Sequence, residues 1–319
     1  MDSVPYEFCH DVFWTLCEYR WSCKKIAKKL TGLWKSAAEE YVKNVQMVSV
    51  TIWKNVDGEW MYSFFAGGFN GKVPKTMDEL LSMDRRFVRF QDLYASEVYA
   101  EERRFQTSKK ELITRLFPYL NSRPMPYSTL HIDQDCGRET GLEYLELFHH
   151  LSSYYRLNFP YLGPESEAFL ATQAKNNTRF GSCALYGTWP ESDEMEQLIV
   201  DLLITRNITF EHCKVTIKIA QTVLRLWIAG VCCGYSYGPA GVTKDELMEI
   251  AVPAHITTRE EWYAFRGNRE MYITWSKPDG SYLRCDPVCA DGTVRFCDMT
   301  KSIGITDLSD SEDDDELYP

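Results

Sequence analysis

Long hydrophobic runs are missing from this chain. The longest candidate among the 319 residues lies around Val223 to Gly238, and a charged residue, Arg225, and two glycines interrupt it. A helix that crosses a bilayer needs about 20 consecutive apolar residues, so we expect no membrane-spanning segment. An acid, Asp2, stands where a secretory signal would be positively charged. The 11 cysteines form an odd, scattered set that is typical of reduced thiols. The sequence therefore predicts a cytoplasmic or nuclear protein that is not secreted.

A phosphate-binding loop and a zinc-binding set of cysteines are missing too. The glycine-rich segment 67–71 lacks the Lys-Ser or Lys-Thr that follows the glycines in such a loop. Cys285 and Cys289 have three residues between them, which is outside the common zinc spacing, and no fourth ligand follows Cys297. We therefore expect no enzyme, no cofactor and no metal.

Histidines, the commonest general bases, are few in this chain, and no nucleophile is tied to His131. His149 and His150 are adjacent, so on a helix their side chains point about 100° apart and cannot face one ligand. His131 lies near Asp133 and Asp135, a grouping that could form a polar site at the end of a strand. We interpret all three histidines as structural, because general base catalysis needs a partner group.

A basic excess is also absent. The formal net charge is −11, and seven acids between Asp307 and Glu316 supply most of it, which leaves −4 for the rest of the chain. Because a nucleic-acid surface has to neutralise several phosphates, we expect no nucleic-acid partner. One basic cluster stands out, which we interpret as a solvated helical face rather than an import or nucleic-acid signal; it comprises Lys24, Lys25, Lys28 and Lys29.

Helical spacing of apolar residues marks the beginning of the chain. Residues 5–44 carry two such series, which predict two or three short helices. The first series is Phe8, Val12, Phe13 and Leu16, and the second is Ile26, Leu30, Leu33, Trp34 and Ala37. We assign residues 1–45 to a first helical domain.

A β-hairpin and a series of strand-helix units are predicted for residues 46–252. Asp57-Gly58 separates two alternating runs, which is a strong hairpin signal, and a third strand is expected around Phe87. Short strand-like runs then recur at steps of 27 or 28 residues, centred on Leu130, Leu157, Leu185 and Cys213, with a helical pattern after each. Such units stack in leucine-rich-repeat solenoids, because one unit alone cannot bury its apolar face. We expect an α/β (or α+β) fold.

A small β-sheet is predicted for residues 253–306, where Asp279-Gly280 and Asp291-Gly292 separate alternating runs. The acidic segment 307–319 has almost no apolar residues and is expected to be disordered. Ser309 and Ser311 each precede acids at the positions that acidophilic kinases recognise, so both are candidate phosphorylation sites. A plain solubilising tail is the alternative.

Three segments resemble a family of nematode F-box-like proteins. The first is the opening Met1-Asp2-Ser3-Val4-Pro5 with the apolar positions that follow it. The second is Leu185-Tyr186-Gly187-Thr188-Trp189-Pro190, similar to a Leu-x-Gly-x-Trp-Pro segment. The third is Trp275-Ser276-Lys277-Pro278-Asp279-Gly280, similar to a Trp-x-x-x-Asp-Gly turn. The resemblance spans nearly the whole chain up to the acidic tail.

The resemblance implies an adaptor between two proteins. In F-box proteins a short helical unit docks on the Skp-type linker of a cullin–RING ubiquitin ligase, and a repeat domain holds the protein substrate. Val4-Pro5 stands here in place of the usual Leu-Pro, and residues 19–29 lack the usual leucine-rich run. The implied partner-binding residues are Val4, Pro5, Phe8, Val12, Leu16, Leu33 and Trp34. The alternative is a scaffold protein outside any ligase, whose N-terminal helices only pack against the rest of the chain.

Overall fold

A computed structural model describes residues 5–16, 20–66, 73–96, 104–122, 124–206, 208–231, 236–265, 268–287 and 292–299. The chain forms two compact units, residues 1–190 and residues 191–319. Both combine helices and strands, so the α/β class is confirmed. Among the described residues, no helix is long and apolar enough to cross a membrane.

The first unit begins with three helices, as the apolar spacing predicts. They are α1 (Tyr6–Leu16), α2 (Arg20–Lys29) and α3 (Gly32–Asn44). Their inward positions form one apolar cluster whose buried members are Cys9, Phe13, Ala27, Ala37, Ala38, Tyr41 and Val45. We call α1 to α3 the helical module.

The predicted hairpin follows directly. Strands β1 (Gln46–Lys54) and β2 (Trp60–Ala66) are antiparallel, and Gly58 between them has a φ of 77°, a value that glycine adopts without strain. Helix α4 (Met77–Ser82) leads to β3 (Val88–Ala95), which pairs in parallel with β1. A short strand, β4 (Phe105–Thr107), pairs with β2.

Parallel strands with helical crossovers complete the first unit. Strands β5 (Pro124–Ile132), β6 (Arg156–Pro160) and β7 (Ser182–Tyr186) extend the sheet in the order β7-β6-β5-β3-β1-β2-β4. The helical segments before and between them are α5 (Lys109–Glu111), a π-helical turn (Leu112–Leu116), α6 (Phe117–Ser122), α7 (Arg138–Phe148) and α8 (Pro164–Asn176). The predicted alternation of strand and helix is thus present in this unit.

The register of the parallel strands differs from the predicted spacing. Leu130 pairs with Leu157 as expected, but Leu157 pairs with Cys183, whereas Leu185 pairs with Phe159. The regular steps predict that Leu157 and Leu185 are buried and occupy equivalent positions. Both are fully buried, but they do not pair with each other, so the predicted equivalence is wrong. The cause is side-chain alternation, because residues two apart on one strand share a face and give the same apolar signal.

The second unit contains three helices among its described residues, α9 (Asp193–Arg206), α10 (Ile217–Ile228) and α11 (Lys244–Met248). Its strands pair in the order β11-β12-β13-β14-β10-β8, and β9 pairs with β10. They are β8 (Thr209–Glu211), β9 (Val215–Thr216), β10 (Ser236–Gly241), β11 (Thr257–Phe265), β12 (Asn268–Ser276), β13 (Tyr282–Asp286) and β14 (Thr293–Asp298).

Two predictions can be compared with this unit. The antiparallel C-terminal sheet is present, and Gly280 has the positive φ expected of its turn. Cys213, however, is not the centre of a strand, because it lies between β8 and β9. Cys213 is a buried residue of the segment that connects β8 to β9. Its prediction as a strand centre depended only on its apolar side chain.

Candidate partner-binding surfaces

The predicted docking residues of the helical module divide into exposed and inward-facing side chains. Phe8 is 52% exposed and Leu33 is 37% exposed, whereas Val12 is half-buried. Pro5, just before α1, is also exposed. When large apolar side chains are exposed next to one another, the patch that they form often marks a contact surface.

Trp34 connects the exposed residues to the interior of the module. Its ring lies 6.3 Å from that of Phe8 and 6.0 Å from that of Phe13, both in edge-to-face arrangements. Trp34 is half-buried and Phe13 is buried. Pro5, Phe8, Leu33 and Trp34 are called the apolar patch below.

The remaining predicted site residues have no side-chain description. Val4, Ser309 and Ser311 lie outside the described residues, and Leu16 is described only as the last residue of α1. Their predicted roles therefore stay predictions.

A buried arginine that the sequence analysis did not single out attaches the helical module to the sheet. Arg89 of β3 is only 2% exposed. Its Nε donates a hydrogen bond to the Tyr41 hydroxyl, and its Nη2 donates to the Phe13 carbonyl oxygen at 3.4 Å. Its guanidinium also lies over the Tyr41 ring, 5.4 Å from the centroid. The sequence signal that could have identified Arg89 is a charged residue between two apolar residues, Val88 and Phe90, both of which are buried in the structure.

A second contact stiffens the module itself. The Tyr6 hydroxyl of α1 donates a hydrogen bond of 2.6 Å to Glu40 Oε2 of α3. This bond, with the nearby negative charge and partial burial, raises the pKa of Tyr6 to about 12. The module is therefore held on its inner side while Phe8 and Leu33 remain exposed.

The lysines of α2 are on the surface, as predicted. Lys24, Lys25, Lys28 and Lys29 are all exposed, whereas Ala27 on the same helix is buried in the cluster. We call the four residues the lysine stripe.

The parallel sheet of the first unit has one apolar face and one mixed face. The fully buried side chains of Val50, Leu93, Leu130, Leu157 and Cys183 lie in register across five strands. Phe159, on the same face, packs on Phe169 of α8 at 5.8 Å. Side chains one position along each strand point to the opposite face.

That opposite face carries a row of aromatic rings. Phe65 lies 5.7 Å from Tyr94, Tyr94 lies 5.7 Å from His131, and His131 lies 6.1 Å from Tyr186. All four are half-buried. We call them the aromatic row. They are candidates for contact with a second protein, because half-exposed aromatic residues are enriched in interfaces.

Charged and polar groups border the aromatic row. Asp92 Oδ1 accepts a hydrogen bond of 3.3 Å from the Thr129 backbone, and burial raises the pKa of this carboxyl. Arg156 Nε donates to Asn158 Oδ1 at 2.8 Å. Burial lowers the pKa of His131. The negative charge of Asp133 raises this pKa, and the positive charge of Arg156 lowers it further. His131 thus lies between the rings of Tyr94 and Tyr186 on a face that also carries charged groups.

The lowered pKa of His131 gives a pH prediction. The imidazole of His131 takes up a proton more readily in the unfolded state than in the folded state. The stability that neutral His131 contributes to the folded state is therefore fully present above the unfolded pKa of about 6.5. It decreases as the pH falls through the folded pKa. We expect the loss of stability between pH 7.5 and 5.5, measured by urea unfolding, to be smaller in His131→Asn. His255→Asn, at an exposed position, is the control. Equal losses in both variants would contradict the prediction.

The cysteines and histidines weighed as metal ligands or bases can be located where the structure describes them. No group of three or more His, Cys, Asp or Glu side chains among the described residues could hold a metal. Cys285 pairs with Phe296, and Cys297 pairs with Arg284, so the two cysteines point to opposite faces of the sheet. Cys289 lies outside the described residues. His149, at the end of α7, is exposed and contacts Phe169 at 5.0 Å.

A Gly-x-Ser-x-Gly sequence at 234–238, which we overlooked when we expected no such motif, lies partly in β10. In hydrolases this motif places the serine on a sharp turn between a strand and a helix. Here Ser236 begins a strand that continues to Gly241. A Cβ on Gly238 would lie 1.7 Å from the Cys213 carbonyl oxygen, so close packing requires this glycine. The described backbone is therefore not a nucleophile elbow.

Two of the segments that carry the F-box-like resemblance each contribute a tryptophan to the packing of their own unit. Trp189 is half-buried, its ring lies 5.1 Å from both Phe159 and Tyr161, and its Nε1 donates to the Tyr186 carbonyl at 3.0 Å. Trp275 is fully buried and stacks on Phe296. Both tryptophans therefore contribute to the packing of the fold.

Comparison of the chain with protein-family models, curated proteins and solved structures finds no match. The resemblance therefore rests on the three sequence segments.

Proposed function

We propose that this chain is a protein-interaction adaptor of the cytoplasm or nucleus, rather than an enzyme. In this proposal the helical module docks on a Skp-type linker, and the rest of the chain holds a protein substrate for a cullin–RING ubiquitin ligase. The observation that carries the proposal is the exposure of Phe8, 52%, in edge-to-face contact with the ring of Trp34.

The arrangement of the apolar patch supports docking for a physical reason. An exposed aromatic ring that rests on a second ring is already positioned, so little conformational freedom is lost when a partner covers it. The inner side of the module is held by Arg89 and by the bond from Tyr6 to Glu40. Rigid aromatic anchors of this kind dominate binding energy in many interfaces.

The alternative is a scaffold whose N-terminal helices only pack, and Arg89 favours it. Its bonds to Tyr41 and Phe13 explain why the module is part of the first unit without any partner. The two functions differ in one consequence. A purely structural module does not need exposed Phe8 and Leu33, whereas a docking module does.

The aromatic row is the proposed contact for the second protein. Its rings offer apolar area, and Asp92, Asp133 and Arg156 beside them offer specific polar contacts. Interfaces combine these two kinds of group, with the aromatic residues at the centre.

The test is binding of the full chain to purified Skp-type linker, with Phe8→Ala as the main variant. We expect a loss of about 2 kcal/mol, which is roughly 30-fold in Kd, because truncation removes an anchor. Phe8→Ala should leave the unfolding midpoint nearly unchanged, since the side chain is half in solvent. Adding Trp34→Ala should abolish binding but also loosen the module, because Trp34 contacts Phe13.

Trp262→Ala provides the matched control, because Trp262 is an exposed aromatic residue of the second unit. It should bind linker like the parent chain. If the parent chain does not bind, or if Phe8→Ala binds as tightly as the parent, the docking function is refuted and the scaffold remains.

A further inference from the structure

The lysine stripe is a concentrated positive surface on a chain with an acidic balance. The sequence contains 46 acidic and 35 basic residues. Lys24 and Lys28, and likewise Lys25 and Lys29, are four residues apart on α2 and therefore lie side by side. Ile26, Ala27 and Leu30 occupy the inner side of the same segment and pack in the apolar cluster. The stripe therefore faces away from the interior.

Three lysines of the stripe differ from several lysines elsewhere in the chain, which are paired with acids. Elsewhere Lys109 pairs with Glu146 at 2.8 Å, Lys218 with Glu196 at 3.5 Å, and Lys244 with Glu260 at 2.6 Å. Within the described residues, Lys24, Lys28 and Lys29 make no ion pair. Like charges four residues apart destabilise a helix, so an anionic partner would relieve a repulsion that the isolated chain retains.

The stripe lies close enough to the apolar patch for one partner to cover both. Lys29 and Leu33 are four residues apart in sequence, so their Cα atoms are at most about 15 Å from each other. Leu33 adjoins Trp34, whose ring lies 6.3 Å from that of Phe8. A standard interface buries about 800 Å² on each partner, and a surface of that area is wider than the distance of about 15 Å between Lys29 and Leu33.

We propose that the lysine stripe and the apolar patch form one composite docking surface, which fits a protein whose apolar groove is bordered by carboxylates. This inference rests on the proposed docking function and specifies the chemistry of its partner. Phe8, Leu33 and Trp34 supply the apolar contact, and Lys24, Lys28 and Lys29 attract the acidic border and orient the approach. Charges at the rim of an interface act mainly on the association rate.

A lipid surface or a nucleic acid fits this stripe less well. The apolar side of α2 is committed to the cluster, so no apolar face of this helix is left to enter a bilayer. The stripe extends over six residues of helix, about 7.5 Å from the first Cα atom to the last, so it can meet only a few phosphates. The rest of the chain is net acidic, so an extended polyanion would be repelled beyond the stripe.

The experiment measures association and dissociation rates of the full chain with Skp-type linker in 0.1 M and 1 M salt. The variant combines Lys24→Gln, Lys28→Gln and Lys29→Gln. We expect its association rate in 0.1 M salt to fall by about 10-fold, with little change in dissociation, because electrostatic steering is lost. In 1 M salt, where the screening length is about 3 Å, the variant and the parent should associate at similar rates.

The matched control combines Lys43→Gln, Lys75→Gln and Lys110→Gln, which removes the same charge from exposed lysines that are isolated from one another. The control should associate at close to the parental rate. An equal fall in both triple variants would attribute the effect to net charge and overturn the composite surface.

The outcomes separate this inference from the docking function. Linker binding that depends on Phe8 but has the same association rate with and without the stripe refutes the composite surface and leaves the adaptor standing. No linker binding by the parent refutes both. If the stripe variant instead loses binding to phosphatidylserine vesicles or to duplex RNA, with linker association unchanged, the occupant is a lipid or a nucleic acid and the inference is wrong.

Discussion

Leu157→Ala is expected to lower the free energy of unfolding by about 2–5 kcal/mol, the range found when a buried leucine is truncated in a packed core. Leu157 is fully buried in β6, and in the sheet it lies between Leu130 and Cys183. Neighbouring strands on both sides restrict the relaxation that would fill the cavity, so we expect the upper half of the range. Urea unfolding followed by tryptophan fluorescence measures the change.

Leu33→Ala is the matched control, since it deletes the same atoms at a position that is 37% exposed. Its effect on unfolding should be below about 1 kcal/mol, because much of the side chain is already in water. Similar losses for the two leucines would contradict the placement of Leu157 in the buried core.

Arg89→Met is expected to lower the free energy of unfolding by about 3 kcal/mol or more. The methionine keeps an apolar stem but removes the charged donor, and hydrogen bonds to a charged group contribute about 1.5–3 kcal/mol each. Tyr41, which is 1% exposed, would then lose the donor to its hydroxyl. The measurement is urea unfolding together with limited proteolysis, which should cut preferentially in α1 to α3.

Arg225→Met at an exposed position of α10 is the control for loss of charge. It should leave both the unfolding curve and the cleavage pattern nearly unchanged. If Arg89→Met is as stable as the parent and is cut no faster within α1 to α3, Arg89 does not attach the helical module, and the support for the scaffold alternative is lost.

Local patterns in the sequence predicted most elements of the first unit correctly. The described part of residues 5–44 forms three helices, and the strands on either side of Asp57-Gly58 form a hairpin. Both features depend on interactions between residues close in sequence: helical spacing sets an apolar stripe, and glycine adopts the positive φ of the turn. Tertiary context did not override either signal.

The register of the repeat-like strands could not be predicted in the same way. Leu157 and Leu185 are alike in type and burial, yet Leu185 pairs with Phe159. Pairing depends on how the connecting helices pack, and a shift of two residues leaves every side chain on its original face. The apolar pattern is therefore equally satisfied by either register.

The candidate site was only partly accessible from sequence. Helical spacing identified Phe8, Leu33 and Trp34 as one apolar set, but it could not separate exposed Phe8 from buried Phe13. An amphipathic helix shows the same stripe whether it faces the core or a partner. The aromatic row, with rings from four strands, has no local sequence signature at all.

The sequence by itself determined the α/β class, the three N-terminal helices, the hairpin and the acidic balance of the chain, because each depends on composition or on neighbours within a few residues. Only the tertiary structure decided which apolar side chains remain exposed, that Arg89 joins β3 to the helical module, and that Tyr94, His131 and Tyr186 meet on one face of a sheet. Those contacts join residues from 37 to 76 positions apart. Their formation depends on the packing of whole elements, which no short segment encodes.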